Sequence, residues 1–138
     1  MRLIKWTSIL SAIVLFVACF LDWIVVESRG IVVSGMDAGG TSFGKPGLMH
    51  LLLTILFLAL MFTPKVWARR WNLAVVALNL GWALRNYFLI TICRGGECPT
   101  KLPGIYLVMI CSVIMLLGAL FTDLRISTPD PGPDPNPY

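Results

Sequence analysis

The segment NLGWALRNYFLI, which covers Asn79 to Ile90, decides the fold because it embeds Arg85 and Asn86 in an otherwise apolar run. The whole run extends from Ala68 to Ile92 and exceeds the roughly 20 residues that cross a hydrocarbon core of about 30 Å. A backbone surrounded by lipid has to satisfy its own hydrogen bonds. The run is therefore predicted to form an α-helix that spans a membrane.

Three further apolar runs flank this one, at about residues 3–26, 48–62 and 102–121. Together with 68–92 they predict an all-α membrane protein within residues 1–126, an antiparallel four-helix transmembrane bundle. The composition agrees, because only 13% of the residues are charged and 57% are hydrophobic. Soluble domains carry about 25% charged residues.

The C-terminal segment, residues 127–138, has a different composition. Proline recurs there every two or three positions, which excludes a helix or a central strand. We predict a disordered, Pro-rich cytoplasmic tail.

The Lys and Arg residues near the ends of the four runs fall into two groups. Six lie on the side of the N terminus: Arg2, Lys5, Lys65, Arg69, Arg70 and Arg125. Four lie on the opposite side: Arg29, Lys45, Arg94 and Lys101. Because basic residues favour the cytoplasmic side, both termini are predicted to be cytoplasmic. The charge thus indicates membrane orientation, and no nucleic-acid partner is expected.

The first run also has features of a secretory signal. FVAC, Phe16 to Cys19, is similar to a lipoprotein cleavage box. The apolar stretch continues past Cys19 to Val26, where a lipoprotein would begin a polar tether, so an uncleaved helix is the preferred interpretation.

Two loops are predicted on the outer side. In the first, WIVVES and IVVSG flank Arg29-Gly30, which indicates a short extracytoplasmic β-hairpin. In the second, CRGGECP, Gly95-Gly96 lets Cys93 approach Cys98, and a disulfide should persist in an oxidising compartment. A structural staple is preferred to a redox-active pair. No Cys or His lies at zinc-ligand spacing, so no metal is expected.

The antiparallel order places five polar side chains at a similar depth in the outer half of the bundle: Asp22, His50, Arg85, Asn86 and Tyr106. A charged residue at a helix centre costs roughly 2.5–3.5 kcal/mol on insertion scales, so such groups usually pair in the bundle interior. We therefore predict an Asp22–Arg85 pair. Two interpretations stay open: a structural clasp, which is preferred, and a polar pocket for an anion, a proton path or a lipid headgroup.

The chain resembles a group of small four-span inner-membrane proteins from Bacteroidota. The resemblance covers roughly residues 20–123 and rests on FGKPGLMH, WARRWNL, NLGWALRNYF, CRGGECP and GIYLVM in this order. No activity is established for that group. The resemblance therefore implies only a multi-pass architecture in the bacterial inner membrane.

Three functions are compatible with these features. The first is a non-enzymatic accessory or scaffold subunit without a cofactor, which binds a membrane-protein partner or a second copy through its outer loops or helix faces. Gly81, Gly118 and Ala119 would allow close helix approach. The second is a small transporter or channel subunit that uses the Asp22/His50/Arg85 layer. The third is a membrane thiol-disulfide oxidoreductase that uses Cys93 and Cys98.

Overall fold

The computed structural model describes residues 2–127 and contains four helices and a small sheet. The helices are α1 (Arg2–Ala18), α2 (Pro46–Phe62), α3 (Val66–Thr91) and α4 (Pro103–Ser127). The strands are β1 (Asp22–Val26), β2 (Ile31–Ser34) and β3 (Thr100–Lys101), in the antiparallel order β2-β1-β3. The predicted tail lies outside the described residues from position 128 onward.

The last three helices lie close to their predicted positions. Pro46 occupies the first turn of α2, where its missing N–H costs nothing. Pro64 disfavours a helical conformation at Thr63, and the chain turns through Thr63 to Lys65 before α3 begins.

The predicted first span, residues 3–26, is wrong at its C-terminal end. α1 ends at Ala18, and Asp22–Val26 forms the central strand of the sheet. Val25 pairs with Val32 of β2 and with Thr100 of β3. The apolar character of this segment thus reflects β-branched residues buried in a sheet, as the hairpin pattern indicated, and not a continued helix.

Contacts between the helices link α1 with α4, α4 with α3, α3 with α2 and α2 with α1. Leu15, Phe57, Val76 and Met115, one from each helix, are fully buried in the shared core. The sheet lies where α1 ends and α4 begins, and we call this the cap end. The opposite end carries the start of α1 and the α2–α3 turn, and we call it the open end.

The surface of the helices is unusually apolar. Exposed Leu, Ile, Val, Met and Phe side chains occur along all four helices, among them Leu10, Ile13, Leu52, Ile55, Leu78, Phe88, Ile110, Leu117 and Phe121. Several polar side chains are instead buried: Ser8, Ser11, His50, Thr54, Asn72, Asn79, Asn86 and Ser112. This distribution is the reverse of that expected in water, where apolar patches above a few hundred Å² are rare.

Two helices are long and apolar enough to cross a membrane. They are Val66–Thr91, with a mean hydropathy of 1.4, and Pro103–Leu124, with 2.5. The other two helices are apolar but shorter, at 17 residues each.

Candidate functional site

Among the described side chains, no hydrogen bond or salt bridge joins any two of the five polar residues predicted to form one layer. Asp22 is exposed in β1, and Arg85 is exposed on α3. The guanidinium carbon of Arg85 lies 4.8 Å from the centroid of the Trp82 ring, one turn earlier on the same helix. Among the described side chains, those of residues 3–124, the one salt bridge joins Arg29 and Glu97, so Asp22 and Arg85 do not form the predicted pair.

The position of Arg85 leads to a testable expectation. Its visible interaction is a cation–π contact on an exposed surface, worth about 0.5–1 kcal/mol. Arg85→Leu should therefore change the free energy of unfolding in detergent by no more than about 1 kcal/mol, and Asp22→Asn should not alter that effect. If Arg85→Leu lowered the free energy of unfolding by much more than this, and Asp22→Asn reversed the loss, the result would support the predicted ion pair.

The other three members of the predicted layer differ in their exposure to solvent. His50 and Asn86 are buried, at 0% and 4% exposure, whereas Tyr106 is 44% exposed. The ring of Tyr106 lies near that of Tyr87, with 6.3 Å between the centroids.

The polar site that the structure does assemble is a hydrogen-bond chain across three helices. The ring Nδ1 of His50 on α2 lies 2.7 Å from Oδ1 of Asn79 on α3. The Asn79 amide donates through Nδ2 to Oγ of Ser112 on α4, at 3.1 Å. The Ser112 hydroxyl donates to the backbone carbonyl of Val108, at 2.7 Å. We name this set of residues the His50–Asn79–Ser112 chain.

The bonding pattern selects the Nδ1–H tautomer of a neutral His50. Asn79 Oδ1 accepts, so the pattern requires a hydrogen on His50 Nδ1. His50 Nε2 is then left as a buried acceptor, and it has no hydrogen-bond partner in the described part of the molecule. The ring of Trp23 packs near that of His50 in a T-shaped arrangement, with 6.1 Å between the ring centroids.

The chemistry of the chain favours a clasp over a proton path. An amide such as that of Asn79 has no acid–base group that titrates near neutral pH, and the chain ends on a backbone carbonyl. Its direct effect is to tie α2, α3 and α4 together by hydrogen bonds in a buried setting.

Asn79 belongs to a stripe that the sequence analysis missed. Asn72, Asn79 and Asn86 are all buried and are spaced seven residues apart on α3. Seven residues are nearly two helical turns, so the three amides share one face of the helix. This spacing was a readable signal. Ser112 and Thr54, which are also buried, carried no comparable signal.

The second ordered polar region is the cap, formed by the sheet and the two predicted outer loops. Gly95 and Gly96, both with positive φ, form the turn of a tight hairpin in which Arg94 and Glu97 exchange two backbone hydrogen bonds. The Cys93–Cys98 disulfide closes this hairpin, which confirms the predicted bond. The 2.8 Å salt bridge from Arg29 to Glu97 then joins the first loop to the second.

The cap also contains a groove of about 170 Å³. Its floor is mostly apolar and its rim carries two cations and a carboxylate; the lining residues include Ile24, Ile31, Phe43, Ile90, Ile92, Arg29, Arg94 and Glu97. The guanidinium carbon of Arg94 lies 5.6 Å from the Phe43 ring centroid. The groove is thus an exposed apolar depression with charged side chains on its rim.

The disulfide should stabilise the cap by a measurable amount. Closing so short a loop is worth roughly 2 kcal/mol in the chain-entropy model. We expect the double variant Cys93→Ser/Cys98→Ser to lose about that free energy in denaturant unfolding followed by tryptophan fluorescence. Reduction of the unmodified chain should give a loss of similar size. An unchanged unfolding midpoint in both cases would show that the bond has no role as a staple.

Residues 2–127 contain no group of three or more His, Cys, Asp or Glu side chains that could hold a metal ion. Cys19 and Cys111 are free thiols, and both are buried among apolar neighbours.

No family model, curated protein or solved structure matches this chain. The functional argument therefore rests on its own residues and geometry.

Proposed function

We propose that this chain is a multi-pass integral membrane protein without a catalytic role, an accessory or scaffold subunit that binds a partner through its cap. The observation that carries the proposal is the combination of exposed apolar helix faces with an ordered cap, in which a three-stranded sheet and a disulfide-closed hairpin lie at one end of the described residues. A cap of this kind is not needed for crossing a membrane, whereas an ordered loop surface on a rigid scaffold is typical of binding sites.

The reversed distribution of polar and apolar side chains supports the membrane assignment. Lipid can cover the exposed Leu, Ile and Phe side chains of all four helices without cost, whereas water cannot. The buried Asn, Ser, Thr and His side chains fit the same setting, in which polar groups point inward and bond across helices.

The two short helices are compatible with this assignment. At a rise of about 1.5 Å per residue, 17 residues span about 25 Å, somewhat less than the hydrocarbon thickness. Local thinning of the bilayer or flanking Lys and Trp side chains accommodate such a mismatch.

The charges at the two ends favour a cytoplasmic open end. Around the cap, four Lys and Arg residues accompany four carboxylates: Arg29, Lys45, Arg94 and Lys101 with Asp22, Glu27, Asp37 and Glu97. At the open end, six cations accompany Asp123, and Asp130 and Asp134 follow in the C-terminal segment. Basic residues in short loops are retained in the cytoplasm, which gives an outward cap in a bacterial inner membrane.

The cap has the properties of a platform for a protein partner. Its groove combines an apolar floor with charged groups on the rim, the arrangement of a small protein interface. Its two loops are joined by strand pairing of β1 with β3 and by the Arg29–Glu97 salt bridge, so little ordering entropy is lost on binding.

The other two functions gain less support. A transporter based on Asp22, His50 and Arg85 would need these groups to line one path. Asp22 and Arg85 are exposed, whereas His50 is buried and bonds to Asn79. A thiol oxidoreductase that passes electrons between two cysteine pairs would need a second accessible pair, whereas Cys19 and Cys111 are buried.

Site-specific photocrosslinking in native membranes tests the proposal. A photoreactive residue at Val32 or Ile92, both exposed on the cap, should give one discrete protein adduct. The same residue at Leu78 or Ile110, equally exposed on the helices, should give lipid adducts only. Protein adducts from the helix positions alone would assign the interface to the helices, and an absence of protein adducts at all four positions would refute partner binding.

A further inference from the structure

A second cavity, of about 260 Å³, lies at the open end and is lined by all four helices. The lining residues are Lys5 from α1, Phe57 and Met61 from α2, Arg69 and Asn72 from α3, and Ala119 and Thr122 from α4. Neither His50 nor the cap contributes to it. The cavity is therefore distinct from the sites described above.

Two cations face this cavity without a carboxylate. Lys5 and Arg69 form no salt bridge among the described side chains, and the one visible contact of the Lys5 ammonium is the Phe62 ring, with 5.7 Å to the centroid. Asp123, the only acidic residue in α4, does not line the cavity. The positive charge of the cavity is thus not neutralised by the lining side chains.

A buried amide supplies an independent sign of a missing ligand. Asn72 is only 6% exposed, and its Oδ1 has no hydrogen-bond partner although it is shielded from solvent. Such an atom costs roughly 1–3 kcal/mol when it is left unpaired. The Thr122 hydroxyl, which also lines the cavity, already donates to the Gly118 carbonyl at 2.8 Å and retains its acceptor lone pairs.

The geometry points to a headgroup site for an anionic glycerophospholipid whose headgroup also carries a hydroxyl. The phosphate would accept from Lys5 and Arg69, and the headgroup hydroxyl would donate to Asn72 Oδ1. Phe57, Met61 and Ala119 supply an apolar wall for the glycerol and the first acyl carbons. That wall favours a lipid over free phosphate, which has no apolar part.

The depth of the cavity agrees with a headgroup. Asn72 lies six residues, about 9 Å, from the start of α3. The exposed indoles of Trp6, Trp67 and Trp71 lie at the same end of the molecule, as in an interfacial aromatic belt. The lipid is assigned to the cytoplasmic leaflet on the basis of the orientation proposed above, whereas the binding site itself does not depend on that orientation.

Native mass spectrometry of the full chain in detergent, with defined lipids added, tests this site. We expect one phosphatidylglycerol to be retained in preference to phosphatidylethanolamine and to phosphatidic acid, which lacks the headgroup hydroxyl. Lys5→Ala/Arg69→Ala should weaken phosphatidylglycerol binding by about tenfold or more. The matched control is Lys65→Ala/Arg70→Ala, which removes the same charge from the same end but from residues outside the cavity lining. It should retain the lipid.

A neutral variant separates this site from general attraction by positive charge. Asn72→Leu keeps both cations and removes the unpaired amide, so the lipid-free chain should be at least as stable as before. Phosphatidylglycerol should raise the unfolding free energy of this variant severalfold less than it raises that of the unmodified chain.

Three results would overturn the lipid site. They are equal binding of phosphatidylethanolamine, equal weakening by the Lys65→Ala/Arg70→Ala control, and displacement of the lipid by inorganic phosphate. Lipid binding is measured on purified protein and does not depend on how the chain is oriented in a membrane. The test can therefore refute the lipid site without refuting the proposed orientation, and a wrong orientation would leave the lipid site intact.

Discussion

Gly118→Val is expected to push α1 away from α4 and to lower the free energy of unfolding by about 3 kcal/mol. A Cβ atom built at Gly118 would overlap Oγ of Ser8 and lie 3.1 Å from its Cβ. The two helices therefore approach each other closely at Gly118, where any larger residue would require the Ser8 side chain to move. The clash would also disturb the 2.9 Å hydrogen bond from the Ser8 hydroxyl to the Ile4 carbonyl.

Gly81 provides the matched control for this substitution. It was grouped with Gly118 by sequence, but a Cβ at Gly81 meets nothing within 4 Å. Gly81→Val should leave unfolding in detergent unchanged or slightly improve it, because glycine is a poor helix former. Adding Ser8→Gly to Gly118→Val should recover part of the stability that Gly118→Val loses, because it removes the side chain that the new Cβ meets. Equal losses for both valine variants would contradict the close α1–α4 contact.

Asn79→Leu is expected to cost about 2 kcal/mol, because it leaves His50 without its amide partner and removes the bond to Ser112. The measurement is unfolding in detergent, carried out as a double-mutant cycle with His50→Leu. The cycle should give a coupling of about 1 kcal/mol between the two side chains. Additive losses would show that the His50–Asn79 bond contributes nothing.

Asn86→Leu is the corresponding control on the same face of α3, one heptad later. Nδ2 of Asn86 is buried without a hydrogen-bond partner, so replacing the amide removes an unsatisfied group. The free energy of unfolding of Asn86→Leu should stay the same or increase, whereas that of Asn79→Leu should decrease. A loss of equal size at both positions would mean that the stripe is stabilised by something other than the observed hydrogen bonds.

Much of the architecture could be predicted from the sequence, because its signals are local. Thr63-Pro64 ends α2, Pro46 begins it, and Gly95-Gly96 sets the turn closed by the disulfide. Each of these features depends on a few neighbouring residues whose backbone preferences are strong.

The polar layer could not be predicted in the same way, because depth along a helix does not fix the direction of a side chain. Asp22 and Arg85 were matched by depth on the assumption of a helix through Val26. The strand that replaces the helix carries Asp22 to the cap, and Arg85 faces outward on α3. The partner of His50 is Asn79, which lies about two helical turns before Arg85 and Asn86, the α3 residues expected near it.

The open-end cavity could not be predicted from the sequence either. Lys5 and Arg69 were assigned to membrane orientation, and nothing in the sequence states that they line one space with Asn72 and Thr122. That juxtaposition arises from the packing of four helices.

Labelling a single thiol in intact cells tests the central claim most directly, namely that the chain spans the membrane with its cap outside. Cys98→Ser frees Cys93 in the cap, and Lys65→Cys/Cys93→Ser/Cys98→Ser places one accessible thiol in the α2–α3 turn, since Cys19 and Cys111 are buried. A thiol reagent unable to cross lipid should modify Cys93 in intact cells and the thiol at position 65 only after permeabilisation. Modification of Cys93 only after permeabilisation, or identical behaviour of the two positions, would contradict the account.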